Sequence, residues 1–183
     1  MGKYVTRGGE KLEFALRRFH VEAAGKAAAD LGSHIGGFVD CLLQNGAARV
    51  YSVDTSYGTL AWKLRQDARV VVMERVNALH VELPEKVDLI TIDVGWTRQH
   101  LILPHAVALA KSGGTVLSLL KPQYEAKPGE VTRGVLAPER ARELAERVIE
   151  NLGTIGVRVA EWAESPIEGG KGNREFFVKV EAG

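Results

Sequence analysis

Residues 26–45, KAAADLGSHIGGFVDCLLQN, decide the fold. Lys26–Leu31 is a short apolar run of strand length, the glycines from Gly32 onward make a turn, and Gly37–Asn45 has helical length and is stopped by Gly46. A strand, a glycine turn and a helix in that order open an α/β sheet whose ligand crevice lies outside the carboxyl ends of its strands.

Reading outward, short apolar runs alternate with helical patterns, as in a parallel sheet with crossover helices. Upstream, Glu10–Phe19 places Leu12, Ala15, Leu16 and Phe19 at helical spacing. Downstream, strands are expected at Val50–Asp54, Val70–Glu74, Val87–Asp93 and Thr115–Lys121, the last introduced by the turn Ser112-Gly113-Gly114. Helices are expected near Thr59–Gln66, Leu101–Lys111 and Pro138–Leu152, the last with proline in its first turn and Gly153 beyond its end. Val157–Ala163 and Glu175–Glu181 alternate like strands, and the turn-rich segment Ser165–Asn173 between them is too short for a crossover helix, so the two should be antiparallel. The expected architecture is one α/β domain over residues 1–183, with a basic helical segment at 1–25. It is Rossmann-like: a mostly parallel seven-stranded sheet closed by an antiparallel C-terminal hairpin, the variant used by S-adenosylmethionine-dependent methyltransferases.

Four apolar runs end in an ionisable residue, at Asp54, Glu74, Asp93 and Lys121, and the first carries Asp30 just before Gly32. Buried strands otherwise exclude charge, so five charged ends are expected to line one crevice. A dinucleotide fingerprint needs a second glycine two residues after Gly32, where His34 stands, and this argues against NAD. The spacing Asp30-x-Gly32-x-x-x-Gly36-Gly37 is the methyltransferase form of the loop. Asp54 at the end of the second strand suits ribose hydroxyls in either cofactor.

Composition narrows the remaining classes. The chain has 183 residues, 45% of them hydrophobic and 26% charged, with a net charge of +1 that neither demands nor excludes nucleic acid. The lone Cys41 forms no internal disulfide and suits a reducing cytoplasm. The N-terminus has no secretory pattern, and no stretch approaches the ~18 apolar residues of a membrane span. The five histidines are scattered, so no metal site is expected. Arg7, Lys11, Arg17 and Arg18 cluster near the start.

The runs YVTRGGEKLEFAL, DLGSHIGGFVDCLLQNGAARVYSVD, YGTLAWKLRQD, VVVMERVNA, IDVGW, LLKPQYEA and SPIEGGKGNREFF span Tyr4 to Phe177. They resemble the TlyA-type proteins, also called hemolysins, which are related to the FtsJ-like ribose methyltransferases. The resemblance implies 2′-O-methylation of RNA, ribosomal RNA above all, from S-adenosyl-L-methionine. Its Lys-Asp-Lys-Glu tetrad falls on Lys11, Asp93, Lys121 and Glu175. Its cofactor positions fall on Asp30, Gly32, Gly36, Gly37 and Phe38, with Asp54 at the ribose, Asn77 near the adenine and Asp93 near the methionine moiety. Family members normally carry an S4-like RNA-binding domain ahead of the methyltransferase, and this chain is expected to lack it.

Under that resemblance Lys121 is the expected general base, its pKa lowered by burial and by Lys11, while Asp93 and Glu175 orient the two ammonium groups. Arg7, Arg17 and Arg18, with Lys127 and Arg133, are expected to hold RNA phosphates. Where the family has small residues this chain has His34 and Ile35. An alternative reading is therefore a non-catalytic RNA-binding relic whose cofactor loop these side chains close. Further alternatives are a methyltransferase for small molecules or proteins and a pore-forming, hemolysin-like protein.

Overall fold

A computed structural model describes residues 2–183. The elements run α1 (Gly8–Arg18), β1 (Ala27–Leu31), α2 (Gly37–Gln44), β2 (Arg49–Asp54), α3 (Trp62–Arg65), β3 (Val70–Glu74), β4 (Val87–Ile92), α4 (Gln99–Leu109), β5 (Ala110–Leu120), α5 (Pro122–Glu125), α6 (Pro138–Thr154), β6 (Val159–Glu164) and β7 (Phe176–Glu181).

The seven strands form one sheet in the order β3-β2-β1-β4-β5-β7-β6. The first five pair in parallel, and β7 inserts antiparallel between β5 and β6. The strand order reverses between β1 and β4, which opens a crevice at their carboxyl ends. The expected α/β methyltransferase architecture, including the antiparallel C-terminal pair, is present.

Strand alternation sends side chains to two cores. On one face Leu12, Ala15, Leu16 and Phe19 pack with Val39 and Leu42 of α2 over Ala28, Val50, Leu117 and Phe177. On the other, Ile102 and Leu103 of α4 and Leu144 and Ala145 of α6 cover Leu31, Val53, Ile90, Ile92 and Phe176. Both faces of the central strands are therefore apolar, which is why β4 reads as a nearly unbroken hydrophobic run.

Several boundaries differ from expectation. Helix α4 begins two residues earlier and ends at Leu109, because the chain enters β5 at Ala110. The Ser112-Gly113-Gly114 turn is absorbed into that long strand as an irregularity, with a register shift opposite Val87–Leu89. The one-turn α5 was not anticipated. Glu74 is the exception among the charged strand ends: it lies on the edge strand, where Arg65 and the Gly58 N–H bind its carboxylate. It does not line the crevice.

Candidate active site

The crevice at the switch point has a volume of about 410 Å³, within the range of small-molecule sites. Its floor is the β1–α2 turn. Gly32 adopts φ +93°, and a Cβ there would sit 2.6 Å from the Asp93 carbonyl oxygen, so only glycine lets the turn pass so close to the end of β4. At Gly37 a Cβ would overlap Thr6 Oγ1, because the N-terminal segment lies directly on the start of α2. Thr6 and Gly8 consequently form part of the crevice wall, and Phe38 is stacked beneath it on Phe177.

Asp30, Asp54, Asp93 and Lys121 all line the crevice, as does Asn77. Asp54 accepts the His34 N–H at 2.8 Å on one oxygen, and the Ser56 N–H (2.8 Å) and Oγ (2.6 Å) on the other. Burial pushes its pKa up, but the Ser56 and His34 donors outweigh burial and hold it below the usual value. Asp30 is fully buried. One of its oxygens accepts the Thr91 hydroxyl at 2.7 Å, and the other has no partner. Burial, reinforced by Asp93 and Asp54, pushes Asp30 up to about 7 despite the hydroxyl donors of Thr91 and Ser33. An unpartnered buried carboxyl oxygen beside a glycine cradle and a ribose-type acid fits S-adenosylmethionine, whose methionine end carries an ammonium.

His34 and Ile35, the two departures from the family pattern, are exposed on the rim. They leave the crevice open, so the steric premise of the relic reading is absent.

The four tetrad residues come together in two ion pairs. Lys121 Nζ lies 2.6 Å from Asp93 Oδ1, and Lys11 Nζ donates to Glu175 Oε2 at 2.6 Å. The sheet register explains the meeting. Leu120 pairs with Phe176, so Lys121 and Glu175 are the next residues on facing antiparallel strands. Lys11 reaches the same place from the buried side of α1. Lys11 and Glu175 sit outside the crevice lining, on the far side of Lys121. Glu175 is only 3% exposed, and Gly169 lies so close that a Cβ there would run into its carboxylate.

The electrostatics of Lys121 depart from expectation. Burial lowers its pKa, but the charge of Asp93, assisted by Glu175, more than offsets this, so the net shift is upward. In the ligand-free site Lys121 is an ammonium.

Arg7 is exposed beside the wall residues Thr6 and Gly8 and is in no ion pair among the described residues. Arg17 and Arg18 are placed differently. Arg17 pairs with Glu13 at 2.5 Å and Arg18 with Glu161 at 3.8 Å, at the end of α1, and neither lines the crevice. Sequence reasoning missed Trp96, which is 85% exposed at φ +63° and packs on Tyr124 with ring centroids 4.8 Å apart. Tyr124 in turn lies 5.9 Å from Lys121 Nζ. The available signal was a tryptophan three residues after a strand-end aspartate, where burial cannot explain it. Among the described residues no cluster of three or more His, Cys, Asp or Glu side chains could hold a metal ion.

The chain matches the FtsJ-like methyltransferase family over residues 4–182. It is 43% identical to YqxC of Bacillus subtilis over 97% of its own length and 66% of that protein, so it spans about two thirds of this relative. It is 38% identical to the 16S/23S rRNA (cytidine-2′-O)-methyltransferase TlyA of Mycobacterium tuberculosis, over 96% of this chain and 67% of TlyA. Among solved structures, fibrillarin of Aeropyrum pernix with bound S-adenosyl-L-methionine superposes with a TM-score of 0.64 at 19% identity, covering 93% of this chain and 74% of that one. That last likeness is one of fold alone.

Proposed function

Since the chain belongs to the FtsJ-like methyltransferase family, we propose that it methylates the ribose 2′-hydroxyl of RNA, with ribosomal RNA as the substrate class and S-adenosylmethionine as the donor. The observation that carries the reading is the convergence of Lys121–Asp93 and Lys11–Glu175, both at 2.6 Å, beside a glycine-floored crevice. The TlyA relative is named for cytidine-2′-O-methylation of 16S and 23S rRNA, which supports both the bond and the substrate.

When bound, the donor supplies an electrophilic methyl group on a sulfonium. The chain's own residues do the rest. Gly32 and Gly36 let the backbone approach the ligand, and Asp54 holds ribose hydroxyls with its remaining lone pairs. The unpartnered oxygen of Asp30 accepts from the ammonium end.

Lys121 acts on the acceptor. As an ammonium it polarises and positions the 2′-oxygen. Its proton is held by Asp93, and that hold weakens when Asp93 is shared with a second cation; burial then favours the neutral amine. The amine can take the hydroxyl proton as the O–CH₃ bond forms and the S–CH₃ bond breaks. Glu175 fixes Lys11 as the neighbouring positive charge. Trp96 and Tyr124 offer an aromatic face for an unpaired base beside the reacting ribose.

The test is methyl transfer from tritiated cofactor to ribosomal subunits. Lys121→Ala should lower transfer by about 10²–10⁴-fold, the usual contribution of a positioned acid or base. Calorimetry should show cofactor affinity largely kept. Full transfer by this variant would end the reading. The hemolysin name of some relatives gains no specific support: among the described residues no helix is long and apolar enough to cross a membrane.

A further inference from the structure

Two loops stand over the Glu175 side of the site, residues 126–136 between α5 and α6 and residues 165–174 between β6 and β7. They are fastened to each other. The buried Asn173 accepts the Leu136 N–H at 3.0 Å and donates to the Gly134 carbonyl at 2.8 Å, while Lys171 Nζ donates to the Arg133 carbonyl at 3.1 Å. Gly134 makes room for that lysine, since a Cβ there would lie 2.7 Å from its Nζ. Gly169, at the base of the second loop, packs on Glu175 itself.

This clasp presents Lys127, Arg133 and Lys171 to solvent, and none of them is in an ion pair among the described residues. The nearby acids do not neutralise them. Glu130 is taken by Arg140 and by the Lys127 N–H, and Glu168 is exposed and unpaired. On α1, by contrast, Arg17 and Arg18 already face carboxylates.

We propose that the 126–136/165–174 clasp is the phosphate seat of the site: Arg133 and Lys171, with Lys127, hold the backbone of single-stranded RNA on either side of the target ribose. This rests on the RNA reading above and adds where the strand runs, past the Glu175 edge and not along α1. Free cations on a preorganised loop pair bind phosphates without reading bases.

The probe is a fluorescein-labelled single-stranded RNA of about twenty nucleotides, titrated by anisotropy against the whole chain at several salt concentrations. Each lost phosphate contact should make the log–log salt slope about one unit shallower. The double variant Arg133→Gln/Lys171→Gln should therefore be about two units shallower than the unsubstituted chain. Its melting temperature and cofactor affinity should be unchanged, and Arg17→Gln/Arg18→Gln should keep the parent slope. The proposal is overturned if the clasp variant keeps the parent slope, or if the α1 variant shows the loss instead. An unsubstituted chain that binds no RNA at low salt overturns it too. If the parent chain binds RNA with the expected slope change in the clasp variant yet transfers no methyl to ribosomal subunits, the seat stands and the catalytic reading falls.

Discussion

Single residues set the chemistry, and Asp30 shows how. Its carboxyl is ordinary in an unfolded chain, near 3.8, and sits at about 7 when folded. The folded state therefore binds the extra proton between those values. Its stabilising contribution is complete below about pH 4 and lost as pH rises to about 7, with a slope of at most about 1.4 kcal/mol per pH unit. Urea unfolding across that range should show the decline, and Asp30→Asn should flatten it. The buried pair Lys11–Glu175 obeys a related rule. Lys11→Met strands the Glu175 charge and should cost about 3–5 kcal/mol in chemical denaturation, while adding Glu175→Leu should recover much of the loss. At this scale the sequence named the residues but not their protonation. That Lys121 would be held up by Asp93 against burial depends on a 2.6 Å contact between two strand ends.

At the scale of elements, the β1–α2 turn and the β6–β7 loop carry the site. Gly32→Ala would place a methyl group against the Asp93 carbonyl in a backbone conformation that alanine resists. We expect a cost of about 1–3 kcal/mol and weaker cofactor binding by calorimetry. Gly169→Ala should act at a distance along the chain, displacing Glu175 and lowering methyl transfer more than it lowers cofactor affinity. The first of these positions was legible, because glycine spacing after an apolar run is a local pattern. The second was not: nothing near Gly169 in sequence marks it as the neighbour of a buried carboxylate. Element ends blurred for the same reason, since β5 continues through two glycines only because β4 and β7 give it partners.

For the whole molecule, the insertion of β7 between β5 and β6 is the decisive event. It buries Phe176, Phe177, Val178 and Val180 and delivers Glu175 opposite Lys121. A chain ending at Glu164 loses all of these, leaving β5 an unpaired apolar edge. Such a chain should lack near-ultraviolet circular dichroism and cooperative melting, and persistence of both would show that the parallel half folds alone.

Local order along the chain was enough to specify the parallel sheet, the glycine turn and the acids at its rim. Those features depend on periodicity and on charges at the ends of buried runs, which neighbours in sequence supply. Strand order, the pairing of Lys11 with Glu175, the ion pairs that occupy Arg17 and Arg18, and the loop clasp at Asn173 were decided only by tertiary structure. They join residues up to 164 positions apart, and the free energy of such contacts exists only once the sheet has brought them together.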